Sequence, residues 1–301
     1  MFWEIELTEE TARREARIGV ACAASAYALW GLVPIYFKAV AAVSAFEIIA
    51  HRVLWSLGLL ALVLAATRNR SGWAVLRADP ALWGRVAFAA FLVTANWLVF
   101  VWAVNAGRVL ETSLGYYINP LVSVLFAFAF LGERLRPLQL AALGCAALGV
   151  ANQVAALGQL PWVSLVLAVS FAGYGLMRKR IPLDATSGLF FETLLAAPFA
   201  LAYIAWLAGM DALGFGHFGA GTDLLIALSG VVTAVPLVLF AAGARRLRLT
   251  TMGFLQYIAP TITFLLAVFA YGEPFSARQG WTFALIWSGL AFYSLDLLRR
   301  R

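Results

Sequence analysis

Charged residues are scarce in this chain of 301 residues. Asp, Glu, Lys and Arg together make up 12% of the sequence, whereas hydrophobic residues make up 63% and the mean hydropathy is +0.87. Soluble domains carry roughly 25% charged residues, because their surfaces face water. The composition therefore excludes an ordinary soluble domain and indicates an integral membrane protein.

The motifs of catalysis and metal binding are also missing. The two cysteines, Cys22 and Cys145, lie inside apolar runs, and there are only two histidines, so neither a disulfide framework nor a zinc site is predicted. The sequence has no GxxxxGK[ST] phosphate loop, no HExxH and no GxSxG nucleophile turn. We expect no enzymatic activity, no metal and no cofactor. The net charge of +7 comes from small basic groups between apolar runs, so no nucleic-acid partner is expected either.

Long apolar runs fill most of the chain. They approach the roughly 20 residues that a helix needs to cross a bilayer, and they lack the alternation of β-barrel strands. We therefore predict an all-α membrane protein with ten transmembrane helices. The predicted helices cover residues 18–38, 45–66, 82–104, 109–131, 138–154, 160–177, 187–207, 221–243, 250–271 and 279–297.

The positions of the basic residues predict an orientation. If the N-terminus is cytoplasmic, 18 of the 22 Lys and Arg residues fall in cytoplasmic segments, and only Lys38, Arg108 and Arg278 fall in outer ones. Cytoplasmic loops of membrane proteins carry such an excess of positive charge. The pattern supports the ten spans and places both termini in the cytoplasm.

An internal repeat of 140 residues divides the chain. Tyr-Ile-Asn-Pro at 117–120 matches Tyr-Ile-Ala-Pro at 257–260, and a Gly-Glu pair follows at 132–133 and at 272–273. Because five helices is an odd number, the second copy must enter the membrane from the opposite side. We expect a cytoplasmic tail at 1–17 and two inverted repeats at 18–154 and 160–298. Inverted repeats are typical of secondary transporters, although a duplication can also simply build a stable helix bundle.

Two prolines, Pro120 and Pro260, fall near the middle of the fourth and ninth predicted helices. A proline there removes a backbone hydrogen bond, and the freed carbonyl is tolerated where it lines a cavity. Polar side chains lie at the same level: Tyr117, Asn119, Gln256 and Tyr257. We interpret the prolines as gating kinks that flank a substrate cavity, while two packing kinks without function remain an alternative.

Ionisable side chains near a helix centre cost at least about 2.5 kcal/mol on insertion, so each needs an explanation. Arg52 lies in the second predicted helix, and Glu192 lies 140 residues later in the seventh. We expect both to face a cavity, and we hypothesise that they approach each other across the repeat axis. Glu192 is also the candidate proton carrier. Glu47 and His51 share a helix face and are interpreted as a polar cluster near the outer end.

The third predicted helix carries Asn96 and Trp97 near its middle. Asn96 needs a hydrogen-bond partner, and Trp97 can stack on a ligand, whereas Trp102 and Asn105 further along the helix are interpreted as lipid-anchoring and interhelical contacts. A stripe of small residues, Ala141, Cys145 and Gly149, predicts a close-packed seam. That seam would lie within one chain or in a homodimer.

Several short sequence motifs resemble those of one known family. They are Trp-Gly at 30–31, Tyr-Phe-Lys at 36–38, His-Arg at 51–52, Asn-Trp at 96–97, Leu-Gly-Tyr at 114–116 and Gly-Phe-Leu-Gln-Tyr-Ile at 253–258. From about residue 16 to residue 296 the chain resembles the EamA-type permeases of the drug/metabolite transporter superfamily, and within them the RarD-like branch. The resemblance implies a plasma-membrane permease without a known substrate. We expect the pathway to be lined by Arg52, Asn96, Trp97, Tyr117, Asn119, Glu192, Gln256 and Tyr257.

Taken together, these features predict a secondary transporter, a permease or exporter that moves a small organic metabolite or drug across the plasma membrane by alternating access, with proton coupling if Glu192 titrates. Its partners would be the substrate and the lipid bilayer. A small-solute channel is one alternative, but no filter segment is evident. A membrane scaffold or sensor is another, but it would not need charges inside the membrane.

Overall fold

The computed structural model describes residues 9–106, 108–157, 161–272 and 277–298 and is all-α over these ranges. Residues 1–8 of the predicted tail, Glu273 and Arg299–Arg301 lie outside them. The described helices are α1 (Glu9–Ala39), α2 (Ala45–Ala66), α3 (Ser71–Ala78), α4 (Leu82–Asn105), α5 (Val109–Leu131), α6 (Pro137–Leu157), α7 (Trp162–Arg180), α8 (Ala185–Gly209), α9 (Ala220–Arg246), α10 (Leu249–Leu255), α11 (Ile258–Leu265) and α12 (Ala277–Leu298), with a π-helical turn at Leu266–Ala270.

The bounds agree closely with the apolar runs, and the differences have local causes. α1 begins at Glu9, so the described part of the predicted tail continues the first helix. α3 was not predicted, because eight residues are too few to show an apolar period. The Asn69 side chain accepts hydrogen bonds from the N–H and hydroxyl of Ser71 at 3.0 and 2.7 Å, which forms an Asx-type turn just before α3.

Eight segments in the described part of the chain are long and apolar enough to cross a membrane. They correspond to α1, α2, α4, α5, α6, α8, α9 and the α10–α11 segment with its π turn. α7 and α12 are not among them, and α7 ends in the charged run Arg178, Lys179 and Arg180. The chain is therefore a multi-pass helical membrane protein, and the count of ten spans stays a prediction.

The helices of the two halves interleave. Each helix of one half has a counterpart in the other half. If both helices of a packed pair are replaced by their counterparts, the result is again a pair of helices that pack against each other. The pair α1–α9 maps onto α7–α4, α1–α11 onto α7–α5, and α2–α9 onto α8–α4, while α2–α8, α6–α12 and α5–α10 map onto themselves. The main apolar core lies between the halves, with the buried Tyr27, Tyr174 and Phe240 at its centre. The fold is thus built from two structurally related units that share one core.

The predicted small-residue seam forms within the chain. A Cβ atom on Gly149 of α6 would lie 3.2 Å from the carbonyl oxygen of Thr282, and one on Gly289 of α12 would lie 2.8 Å from that of Ala142. Glycine at these positions lets the backbones of α6 and α12 approach closely. The homodimer that this stripe suggested stays a prediction.

The fourth and ninth predicted helices differ in their backbones. α5 runs without interruption through Pro120, whereas its counterpart is divided at Gln256–Tyr257 into α10 and α11. At this break the N–H groups of Tyr257 and Ala259 bond carbonyls three residues back, at 3.3 and 3.2 Å, instead of four. Both copies end at a left-handed glycine, Gly132 and Gly272, each with φ of 64°.

Candidate functional site

Arg52 is the centre of the first group of predicted site residues. It lies on α2, about two turns from the start of that helix, and is half-buried between the two halves. Its Nε donates a hydrogen bond of 2.7 Å to the hydroxyl of Thr233 on α9. α2 and α9 are in close contact one turn away, where the Ser56 hydroxyl donates to the Gly230 carbonyl at 3.2 Å. Arg52 is therefore anchored where the two halves meet.

Aromatic rings surround the Arg52 guanidinium. Its Cζ lies 4.7 Å from the ring centre of Trp97 on α4 and 5.7 Å from that of Phe37 on α1. The phenols of Tyr36 and Tyr116 are near enough to interact with it electrostatically. Because the planar guanidinium is weakly hydrated and stacks on rings, arginine suits such a setting better than lysine does. The structure thus brings Arg52 and Trp97, both predicted to line the pathway, into contact, while their role in transport stays a prediction.

Glu192 does not meet Arg52, contrary to the hypothesis drawn from the 140-residue repeat. Its carboxylate accepts a 3.0 Å hydrogen bond from Nη1 of Arg178 and another of 3.0 Å from the hydroxyl of Tyr174. Both charged groups are buried, and Arg178 has no exposed surface. The sequence placed Arg178 in a cytoplasmic basic group. Instead, its long side chain reaches back beside α8, where it fills the space left by Gly188.

A small cavity connects the surroundings of these two charges. It measures about 10 Å³, enough for about one water molecule, and both Glu192 and Trp97 line it. The other lining residues are Val53, Val93, Thr94, Leu189, Thr193 and Ala196. Trp97 thus contacts Arg52 and also borders the space next to Glu192, which keeps the two charges in one region without direct contact.

Tyr117 and Tyr257 form a second group, at the two copies of the proline motif. The buried Tyr257 hydroxyl donates a 3.2 Å hydrogen bond to the backbone carbonyl of Tyr117. Nearby, a Cβ atom on Gly253 of α10 would lie 2.9 Å from the carbonyl oxygen of Pro120. The broken segment is therefore packed directly against the continuous helix α5 at its proline.

Of the remaining predicted residues, one joins two helices by hydrogen bonds, and the others are buried polar side chains near the proline motifs. The Asn96 amide donates to the Leu167 carbonyl at 2.8 Å and to the Ser170 hydroxyl at 2.9 Å, so it joins α4 to α7. Asn119 is buried, and among the residues that the structure describes its Oδ1 has no hydrogen-bond partner. Gln256 is buried at the helix break. A buried acceptor without a donor calls for an explanation, such as a water or a ligand.

Glu47 and His51 join α2 to the loop between α8 and α9. The buried Glu47 carboxylate accepts hydrogen bonds of about 3.0 Å from the N–H groups of Gly214 and Phe215. The His51 ring lies 5.1 Å from that of Phe215, and its Nε2 is 3.6 Å from Glu47. The interpretation as a polar cluster near the helix end therefore agrees with the structure.

Glu133 makes the corresponding link near the other end of the bundle. Its carboxylate accepts hydrogen bonds from the N–H groups of Leu249 and Thr250 at 2.8 and 3.1 Å and so caps α10. The Thr250 hydroxyl donates to it at 2.6 Å, and Arg248 lies 3.4 Å away. Burial by itself raises the pKa of Glu133, but the Thr250 and Leu249 hydrogen bonds and the Arg248 charge outweigh it. The pKa is therefore lowered from its ordinary value.

Sequence reasoning missed the residues that hold the two central charges. Thr233 gave no signal, because a lone threonine in an apolar run is common in membrane helices. Arg178 gave a misleading one, since it adjoins Lys179 and Arg180. The described part of the chain contains no group of three His, Cys, Asp or Glu side chains that would hold a metal ion.

Comparison with known proteins agrees with this architecture. The sequence profile of the EamA-like transporter family matches the chain twice, at residues 17–152 and 160–295. An uncharacterised transporter of Vibrio cholerae is 47% identical over 288 residues, which is 95% of each chain. The protein RarD of Escherichia coli is 43% identical over 95% of this chain and 96% of its own length. A crystal structure with 23% identity covers 94% of this chain and 99% of its own, with a TM-score of 0.71, and supports the fold.

Proposed function

The chain belongs to the EamA-like transporter family and is RarD-like within it, and from this premise we propose that it is a secondary transporter working by alternating access. It would carry a small organic metabolite or drug across the plasma membrane. The observation that carries this proposal is the broken segment α10–α11, packed on the continuous helix α5 at Pro120. Discontinuous helices at the interface of two repeats form the substrate sites of such carriers.

The proposed topology has ten spans, two inverted repeats and both termini in the cytoplasm. α7 and α12 would supply the ninth and tenth spans, because each packs along a partner that is apolar enough to cross, α5 and α6 respectively. The excess of Lys and Arg in the predicted cytoplasmic segments supports the orientation. The exchange of packed helix pairs between the halves supports the repeat.

Alternating access requires each end of the bundle to open in turn. Two contacts between the halves are suited to hold the ends shut. Glu133 bonds the start of α10 at one end, and Glu47 bonds the loop before α9 at the other. Each uses a carboxylate on backbone N–H groups, which is strong when formed and leaves no buried charge once water enters. Rocking of one half against the other would release one contact while keeping the other.

Proton coupling through Glu192 remains part of the proposal, with a stricter requirement. Arg178 and Tyr174 each donate to a different oxygen of the carboxylate, so a proton would be added beside donors that are already in place and would remove the charge that balances Arg178. Protonation would then free the Arg178 guanidinium inside the core, which is a large local change. Coupling is abandoned if flux into proteoliposomes ignores an imposed pH gradient.

The direct test is counterflow in proteoliposomes made from the purified full chain. Vesicles preloaded with an unlabelled candidate solute should accumulate the labelled solute transiently above its external concentration, because a carrier exchanges one bound molecule for another. A channel would only equilibrate the label, and a scaffold would move none. A panel of metabolites and drugs that gives equilibration or no flux, with folded protein, would overturn the carrier proposal.

A further inference from the structure

We infer that the transported molecule carries a carboxylate next to a flat apolar group, and that Arg52 binds this carboxylate. The inference rests on the proposed transport function and names the class of its substrate. It is carried by the unbalanced charge of Arg52, by the free edge of its guanidinium and by the rings around it.

The first step is the charge balance. Other arginines around the bundle have a carboxylate beside them: Arg178 is 3.0 Å from Glu192, Arg108 is 2.8 Å from Glu111, and Arg136 is 3.1 Å from Asp296. Within the described part of the chain, Arg52 has no such partner. A charge inside a membrane bundle normally pairs with another group or lines a functional pathway. The missing anion is the one that a substrate would bring.

The second step is the geometry of the guanidinium. Thr233 takes the Nε hydrogen, which fixes the plane of the group and leaves the two Nη nitrogens without protein acceptors in the described ranges. Arg52 itself is only half-buried, and its Nη atoms are not among the buried polar atoms that lack a partner. They therefore face accessible space. Two parallel N–H groups at this end of the fork match the two oxygens of a carboxylate.

The third step concerns the rest of the ligand. The rings of Trp97 and Phe37 come from two helices, and their centres lie 4.7 and 5.7 Å from the guanidinium carbon. Such rings exclude water around the guanidinium, which strengthens an ionic hydrogen bond to it. They also offer apolar faces to a flat group attached to the carboxylate. A compact, strongly hydrated anion such as phosphate would gain little from them.

The test uses the purified full chain in dodecylmaltoside and three matched pairs of probes. The pairs are benzoate and benzamide, phenylacetate and phenylacetamide, and indole-3-acetate and indole-3-acetamide, each differing mainly in charge. A carboxylate at 100 times its Kd should raise the Tm by roughly 5 °C, and its amide should not. Chloride, inorganic phosphate and phosphatidylglycerol form separate arms, which detect a general anion site or a lipid headgroup site.

Variants assign the effect to this residue. Arg52→Gln should weaken carboxylate binding by roughly tenfold or more, and Arg52→Lys should recover only part, because lysine keeps the charge and loses the fork. Thr233→Val should weaken binding less than Arg52→Gln, and Thr233→Ser should restore it. Arg85→Gln, at an exposed arginine near the start of α4, is the control and should bind normally.

Each outcome has a defined meaning. Selective stabilisation by a carboxylate, lost in Arg52→Gln and kept in Arg85→Gln, supports the inference. Equal stabilisation by the amides, stabilisation only by phosphate or phosphatidylglycerol, no effect of Arg52→Gln, or no carboxylate effect at all would overturn it. A carboxylate that binds through Arg52 but shows no counterflow would leave the anion site standing and overturn the transport function. Counterflow of a neutral or cationic solute alone would support the transport function and overturn the inference of a carboxylate substrate.

Discussion

Two equivalent segments of this protein, α5 and α10–α11, share a Tyr-Ile-x-Pro motif and yet differ in backbone. α5 passes through Pro120 as one helix, whereas the second copy is broken before Pro260 and ends in a π-helical turn. The same local sequence therefore permits both a continuous and a divided helix. A proline removes one hydrogen bond in either copy, so the proline alone does not explain the break.

The difference arises from what each copy packs against. Gly253, in the divided copy, lies against the Pro120 carbonyl, and the Tyr257 hydroxyl bonds the Tyr117 carbonyl. On the other side, Gly31 of α1 packs so closely that an added Cβ would lie 3.0 Å from the Ala259 carbonyl. These contacts hold the divided copy from both sides. The asymmetry between the halves thus comes from tertiary packing.

Breaking the ion pair of the second half should have the largest effect on stability. Position 192 holds a paired charge, while its counterpart, position 52, holds an arginine without a carboxylate. Arg178→Met strands Glu192 in the core and should destabilise the protein by about 3–5 kcal/mol. Arg52→Met loses one hydrogen bond and ring contacts and should cost at most about 2 kcal/mol. SDS-induced unfolding in mixed micelles measures both.

The double variant Arg178→Met/Glu192→Met is the control for that prediction. It removes both charges, so much of the lost stability should return. If Arg178→Met costs no more than Arg52→Met, the two positions are energetically alike, and the contrast between a structural pair and a substrate-facing charge fails.

Adding one methyl group at the contact between the two copies should have a smaller effect. Gly253→Ala places a Cβ 2.9 Å from the Pro120 carbonyl, and since that atom is backbone, α5 or α10 must shift. We expect a loss of about 1–3 kcal/mol and slower transport. The counterpart, Ser113 of α5, is exposed, so Ser113→Ala should change stability by less than about 0.5 kcal/mol. Equal effects in the same unfolding assay would show that Gly253 is not the close contact.

Much of the fold could be predicted, because the bilayer imposes a length on every spanning helix. The bounds of α2 and α5 were predicted to the residue, and the 140-residue repeat is reflected in the matching φ angles of Gly132 and Gly272. The break at Gln256–Tyr257 could not be predicted. It depends on contacts with α1 and α5, which are distant in sequence.

The candidate site could be predicted only in part. Arg52 and Trp97, both assigned to the pathway from the sequence, contact each other in the structure, although no pairing between them was predicted. Glu192 was assigned the wrong partner, because a repeat offset gives equivalent positions and does not give side-chain reach. The long side chain of Arg178 reaches Glu192 from the last turn of α7. Sequence position alone suggested a loop charge.

The smallest expected effect concerns pH and the link between Glu133 and α10. Because the pKa of Glu133 is lowered in the folded protein, the ionised carboxylate stabilises the fold above its unfolded pKa of roughly 4.3. This contribution is lost as the pH falls from there through the lower folded pKa. Between pH 6 and pH 3 the stability of Glu133→Gln should therefore fall less steeply than that of the unsubstituted protein. The variant should also be slightly less stable at pH 7.

Glu15→Gln provides the control, because that carboxylate forms an exposed pair with Arg246 and contacts no helix N-terminus. Between pH 6 and pH 3, the free energy of unfolding of this variant should fall as steeply as that of the unsubstituted protein. If the free energy of unfolding of Glu133→Gln falls equally steeply, the carboxylate does not hold α10 through its charge. If it falls less steeply, the ionised carboxylate holds α10, and this contact is one of the bonds that would have to open in the proposed transport cycle. The corresponding link at Glu47 would then be the next to test.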